Sequence, residues 1–354
     1  MTKKIIAEKQ KSLLFSFANI IPYAIVPLVW IGVGLGFENY SGLSSLIAKA
    51  VVVTVAKDFL SAIAYIIIIT IKGKLKETLY LLKTKAGLFA GIAGIFGGPI
   101  GYTLYNSAFF FSGPSYSHIF TSIEPLILVI SGILLFKRKY NYKLWLGVGI
   151  TTIAVASLVF GSAFESKNSW RIIVGALLGI GGAASWALET MLFDKAYNEF
   201  HKEKENVTNK LLTIKMISSI FFGFFVMMPI FSKVATQDAT FDYKSFGSVF
   251  THSEWLWRFF LAGGLIIFGR YMYFYAINYK GGTMVAVVYN FTVILTPLLM
   301  LIWFTMTDIW LTWDGSAKSS QEWIVIWTTT PFIIIGITLV TMNSPRINRK
   351  IKST

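Results

Sequence analysis

Six ionisable side chains lie inside apolar stretches of this sequence: Lys49, Lys57, Asp58, Glu124, Glu189 and Lys215. Charged groups are costly in hydrocarbon, so those that persist there face a protein interior or a water path and mark ion or substrate routes. A carboxyl group in such a place can carry a proton or hold a cation, and an ammonium can hold an anion. Lys57 and Asp58 are neighbours in sequence and point to adjacent sectors of one helix, so their partners are expected on other helices. Glu124 immediately precedes Pro125. Proline removes a backbone donor and loosens the turn before it, so an acid there suits a proton carrier, with a structural hydrogen bond as the competing reading. For Lys49 and Lys215 the competing reading is snorkelling of a long side chain toward headgroups. Glu189, toward the end of its apolar stretch, completes the charged set.

Three uncharged residues join these candidates. Tyr105 and Tyr273 each combine a large ring with one hydroxyl, which suits a wet apolar cavity as well as simple packing. Asn290 lies in an apolar stretch where an unpaired amide is costly. His118 precedes Glu124 by six residues, roughly 120° around a helix, and ranks lower. Gly87, Gly91, Gly94, Gly98 and Gly101 form a small-residue stripe with Gly97 beside it, which lets helices approach closely. The GIAGIFGG run lies within that stretch and lacks a following Lys-Ser/Thr, so it is not a phosphate-binding loop.

The elements that must position these residues are long and apolar. The 354-residue chain is 55% apolar and 14% charged, where a soluble domain carries about a quarter charged residues. A span needs about 20 helical residues to cross the hydrocarbon. The hydropathy pattern predicts ten: 13–35, 44–70, 86–109, 113–136, 144–163, 172–193, 211–231, 256–277, 282–305 and 323–342. The basic start MTKKIIAEKQK is followed by an apolar stretch too long for a signal peptide and without its cleavage signature, so it reads as a retained first helix. With no cysteine, the sequence offers no thiol chemistry and no Cys-based metal site, and its three histidines do not cluster in sequence. The expected fold class is an all-α integral membrane protein.

Loop charge sets the expected orientation, because Lys and Arg near helix ends favour the cytoplasm. Segments 1–12, 71–85, 137–143, 194–210, 270–281 and 343–354 hold 23 of them; segments 36–43, 110–112, 164–171, 232–258 and 306–322 hold six. Both termini are therefore expected in the cytoplasm. The net charge of +15 reads as cytoplasmic loops facing anionic lipid, not as a nucleic-acid surface. Trp170, Trp255, Trp257, Trp310, Trp313 and Trp323 fall on the opposite side, as an interfacial aromatic belt does.

Weak self-similarity divides the chain. GYTLYNSA from Gly101 aligns with GRYMYFYA from Gly269 at an offset of 168, pairing Tyr105 with Tyr273. SLIAK from Ser45 aligns with LLTIK from Leu211 at an offset of 166, pairing Lys49 with Lys215. A break near 164–171 leaves five spans on each side, and an odd number per half forces opposite orientations. The expectation is two inverted five-helix repeats, residues 1–165 and 166–354, an arrangement that holds substrate near the midplane between repeats.

On these residues the chain resembles the drug/metabolite transporter superfamily and its EamA-like membrane domains. The resemblance rests on the five-plus-five layout, on the small-rich VGALLGIGGAASWALETMLFDKA at 174–196, and on the stretch from Ser107 through Pro125 to Ile150. Lys137-Arg138 stand where an acidic residue is usual, Lys49 is Lys rather than Arg, and Pro297 lies four residues later than the position matching Pro125. The resemblance implies export or exchange of a small metabolite across the cell membrane. Its partners would be a small polar metabolite and membrane lipids, with a second copy of the chain as a further candidate. No cofactor is implied. A channel and a non-transporting scaffold subunit are the alternatives. An enzyme fits poorly, because the short loops carry little catalytic equipment.

Overall fold

The computed structural model describes residues 10–11, 14–34, 43–136, 142–165, 169–200, 207–236, 241–251, 253–280, 282–289, 291–292, 295–296, 298–299, 302 and 320–342. Among them all regular structure is helical. The first helices are α1 (Ile20–Gly34), α2 (Leu43–Ile71), the short α3 (Leu75–Leu81) and α4 (Lys85–Ile95). A π-helical turn, Phe96–Ile100, joins α4 to α5 (Gly101–Ser112), and α6 (Pro114–Thr121) and α7 (Glu124–Phe136) follow. Then come α8 (Tyr142–Glu165), α9 (Ser169–Asn198) and α10 (Val207–Phe222). A second π-helical turn, Gly223–Met227, leads into α11 (Met228–Thr236). The chain continues through α12 (Phe241–Thr251), α13 (Ser253–Lys280), α14 (Gly282–Tyr289) and α15 (Ser320–Met342).

Six spans among the described residues are long and apolar enough to cross a membrane: Leu46–Ile71, Lys85–Ser112, Tyr116–Leu134, Trp170–Asn198, Val207–Ala235 and Leu256–Asn278. Each overlaps one of the ten predicted spans. Their side chains are distributed inside out. On α2, Lys57 and Asp58 are buried while Ile63, Ile67 and Ile71 are exposed; Leu134, Ile153 and Phe221 likewise point outward. Water disfavours such a surface and lipid does not. The chain is thus a multi-pass helical membrane protein.

Two local devices shape the interior. The glycine stripe of α4 brings α10 close: a Cβ at Gly94 would overlap the Lys215 backbone, and one at Gly91 would lie 3.1 Å from Ser218 Oγ. The helix expected to run unbroken through Pro125 is interrupted. It ends at Thr121 and restarts at Glu124, because Pro125 has no N–H to donate and its ring clashes with the carbonyl four residues back. Ser122 closes the break by donating N–H to His118 O at 3.0 Å. Glu124 consequently begins a helix, where its carboxylate meets the positive end of the peptide dipoles.

At the end of α2 the chain turns through Gly73 at φ +65° into α3. There Lys74 and Lys210 both donate to the Glu77 carboxylate at 2.6 Å. The two ammoniums hold that carboxyl down at about 2. This clamp ties the loop after α2 to the start of α10.

Candidate functional site

Helix periodicity delivers most of the site. On α9, Trp186, Glu189 and Thr190 share one face at i, i+3 and i+4; on α13, Arg270, Tyr273 and Phe274 do the same. These residues line a small internal cavity together with Tyr23 of α1, Tyr102 of α5, Glu124 of α7, Lys215 of α10 and Tyr289 of α14. The cavity offers about 30 Å3, room for one or two waters.

Two ion-pair groups and one separate acid surround it. Asp58 Oδ1 lies 3.1 Å from Lys57 Nζ and 3.3 Å from Arg270 Nη2, while Ser219 Oγ donates to Oδ2. Lys215 pairs with Glu189 Oε1. Glu124 has no cationic partner among the described residues. Its Oε1 accepts from the Tyr273 hydroxyl at 3.1 Å and from the Thr190 hydroxyl at 3.3 Å. All six charged groups are at most 5% exposed as whole residues. The Tyr102 ring lies under two of the cations, 2.9 Å from Lys57 Nζ and 5.3 Å from the Arg270 guanidinium carbon. Such contacts are attractive because the ring face is negative.

Glycines make room for these groups. A Cβ at Gly97 would overlap the Glu189 carboxylate, and one at Gly98 would overlap Ser219 Oγ and lie 2.9 Å from Asp58 Oδ2. The π-helical turn that contains both packs beside its counterpart on the α10–α11 span, where a Cβ at Gly223 would lie 3.4 Å from Pro99. Single π-helical turns inside α-helices recur at functional sites.

The predicted site residues separate accordingly. Lys57, Asp58, Glu124, Glu189, Lys215 and Tyr273 converge on the cavity and its ion pairs. Tyr105 sits just behind, its hydroxyl 2.9 Å from His118 Nε2 and its ring 5.4 Å from that of Trp186. Lys49 does not join them: it is half-buried, with its ammonium 5.1 Å from the Phe110 ring. Asn290 lies outside the described residues.

Sequence reasoning missed Arg270, Trp186, Ser219, Tyr102 and Thr190. Arg270 is a correction, since the loop-charge count places it in the cytoplasmic segment 270–281. It lies well inside α13 and is 1% exposed. The predicted span 256–277 and the charge-counted segment 270–281 overlap, and in that Tyr-rich overlap helix and interfacial loop read alike. The available signals were the repeat alignment, which sets Arg270 against Tyr102, and the i, i+3, i+4 spacing on α9 and α13.

No group of three or more His, Cys, Asp or Glu that could hold a metal ion occurs among the described residues. What the site can do is bind a charged group by exchanging ion-pair partners, and move a proton on a carboxyl.

A multi-pass membrane protein with a charged cavity between helices has the layout of a transport protein. Residues 41–160 match the EamA-like transporter family, a stretch that contains Lys57, Asp58 and Glu124 but not Glu189, Lys215 or Arg270. An "Uncharacterized transporter" of Haemophilus influenzae is 24% identical over 200 residues, 55% of this chain and 60% of that protein. The matched part thus spans less than two thirds of that relative's length. A solved crystal structure aligns over 96% of this chain and 100% of its own with a TM-score of 0.55 at 15% identity, which is a likeness of fold alone. Together the family match and the membrane-spanning helices support a transport role.

Proposed function

We propose that this protein is a secondary transporter of a small polar metabolite that works by alternating access in the cell membrane, with Glu124 carrying a coupling proton. The observation that carries the reading is the set of six buried ionisable side chains gathered from α2, α7, α9, α10 and α13 around one small cavity. Holding so many charges away from water is expensive, and a scaffold subunit has no use for them. The cavity is too small for a metabolite as it stands, which argues against an open channel.

The proposed architecture is ten membrane-crossing helices in two inverted repeats, residues 1–165 and 166–354, with both termini cytoplasmic. Support comes from the repeat-related residues. Tyr102 and Arg270, at the offset of 168, are in contact in the cavity wall, and Tyr105 and Tyr273 each bring a hydroxyl to a titratable partner, His118 or Glu124. Inverted repeats give alternating access when one half rocks against the other around a fixed site. The breaks at Pro125 and at the two π-helical turns are places where helices can bend without losing their whole hydrogen-bond ladder.

Glu124 suits the proton because its hydrogen-bond partners are neutral hydroxyls, so gaining a proton breaks no ion pair. Glu124→Gln keeps size and hydrogen bonding but cannot titrate. Once a metabolite uptake-and-release screen in vesicles has supplied a substrate, the mutant in proteoliposomes should lose accumulation driven by a pH gradient and retain substrate binding. Wild-type accumulation by Glu124→Gln would reject the coupling role.

A further inference from the structure

Among the described residues, two cavity-lining side chains carry a buried polar atom without a hydrogen bond, Trp186 Nε1 and Glu189 Oε1, and of these Glu189 is already held in its ion pair with Lys215. Trp186 is buried and lines the cavity, yet its indole Nε1–H has no acceptor among the described residues. Indole is a donor only, so what it can bind is an acceptor atom. Arg270 is also poorly satisfied. Its guanidinium donates to Asp58 Oδ1 at 3.3 and 3.4 Å and to the Met216 thioether. Charge-assisted bonds of this type normally measure about 2.7–2.9 Å, and a thioether is a weak acceptor. Lys57 is fully buried behind the cavity wall, its ammonium 3.1 Å from Asp58 Oδ1 and over the Tyr102 ring.

The charge balance points the same way. Lys57, Lys215 and Arg270 stand against Asp58 and Glu189, which are tied to them in ion pairs. Glu124 is outside those pairs. When Glu124 holds a proton and Lys57, Lys215 and Arg270 are all charged, the cluster has one cation more than it has anions. A protonated site therefore takes one negative charge to reach neutrality, and an uncompensated charge inside a membrane protein is costly.

The geometry points to a small organic monoanion as the substrate class, its carboxylate-sized head received by Arg270 and the Trp186 indole N–H. Its apolar body lies against the Tyr and Phe rings that make up much of the remaining wall. Arg270 is suited to the head because its planar fork matches a carboxylate bidentately, and its long contacts to Asp58 are readily exchanged. Trp186 is held for the task by its neighbours: its ring packs 5.2 Å from that of Tyr102, and a Cβ at Gly101 would lie 2.9 Å from its Cδ1. The present volume admits only water, so the anion enters when the cavity opens. This inference rests on the transport reading for that opening.

The test is equilibrium binding to the purified full chain in detergent micelles, read as saturable ligand-dependent stabilisation. Two bodies are each offered with three heads: phenylacetate, phenylacetamide and phenethylammonium, and isovalerate, isovaleramide and isopentylammonium. At least one acid should bind saturably, with its amide and ammonium counterparts at least tenfold weaker. Trp186→Phe keeps an aromatic six-membered ring but removes the N–H together with the pyrrole half of the indole, so the amide of the same body is measured beside the acid as the control for lost packing. A hydrogen bond to a charged group is worth about 1.5–3 kcal/mol, so the mutant should bind that acid roughly ten- to a hundredfold more weakly, while its affinity for the corresponding amide changes by much less. Arg270→Gln should abolish acid binding; if that variant does not fold, Trp186→Phe decides. Absence of saturable binding by either acid, equal binding of an amide or ammonium, or unchanged affinity in Trp186→Phe would each overturn the proposal. Acid binding without accumulation in proteoliposomes would remove the transport reading and leave the site. Accumulation of a neutral or cationic metabolite would keep transport and remove the anion.

Discussion

Asp58→Asn takes away the carboxylate that holds two buried cations. Lys57 Nζ and Arg270 Nη2 lie 3.1 and 3.3 Å from Asp58 Oδ1, and all three residues are at most 1% exposed. At an effective dielectric of about 20 each contact contributes about 5 kcal/mol of Coulomb attraction, most of it offset by desolvation. Removing one partner of a buried pair costs about 3–5 kcal/mol, because the remaining charge is left uncompensated. Asn is close to Asp in shape and can still accept from Ser219, so the loss isolates the charge. Asp58→Asn is expected to lower unfolding free energy by about 3–5 kcal/mol, measured by equilibrium denaturation in mixed micelles and followed by helical circular dichroism. A cycle with Arg270→Gln sharpens the test. The double mutant should be less unstable than the sum of the singles by roughly 0.5–3 kcal/mol, since each single mutation strands the other's partner. A stability within about 0.5 kcal/mol of wild type for Asp58→Asn, or additivity to within about 0.5 kcal/mol, would refute the buried-pair reasoning.

Three further outcomes are expected. Gly97→Ala should cost about 1–3 kcal/mol as overpacking and separate Glu189 from Lys215, whereas Gly149→Ala, with nothing within 4 Å of its Cβ, should be neutral or slightly stabilising; equal effects in the same denaturation assay would count against the close approach of the Phe96–Ile100 turn and α9. The Glu77 carboxyl is depressed in the fold to about 2 by Lys210 and Lys74, so its contribution is complete above the unfolded carboxylate range near pH 4.5 and is lost as pH falls toward 2. The stability gap between wild type and Glu77→Gln should therefore narrow over that window, and a gap that widens on acidification would contradict the clamp. Reporters active on one side of the membrane, fused to each terminus, should both report the cytoplasm; opposite locations would rule out an even number of crossings.

What the sequence determined on its own was the class of the molecule and the list of unusual residues. Charge is scarce and apolar runs are long, and in lipid the backbone must satisfy itself within helices. All-helical, membrane-spanning structure follows from that without tertiary information. The same rule singles out Lys57, Asp58, Glu124, Glu189 and Lys215, because a charge in an apolar run is conspicuous wherever it points.

Tertiary structure alone decided which of these meet and what joins them. Lys49 has the same signature as Lys215, yet one lies half-buried near Phe110 and the other pairs with Glu189; hydropathy reports depth and is blind to rotation about the helix axis. Trp186, Ser219 and Thr190 carry no charge, and such residues are ordinary in membrane helices until a partner across the bundle gives them a role. Arg270 was hidden for a third reason. In a Tyr-rich stretch near a helix end a basic residue reads as loop, and only its burial against Asp58, 212 residues away in sequence, reveals that it belongs to the interior. Composition fixes the solvent a chain must live in, but pairing between distant helices depends on how their faces turn toward one another, which only the packed fold sets.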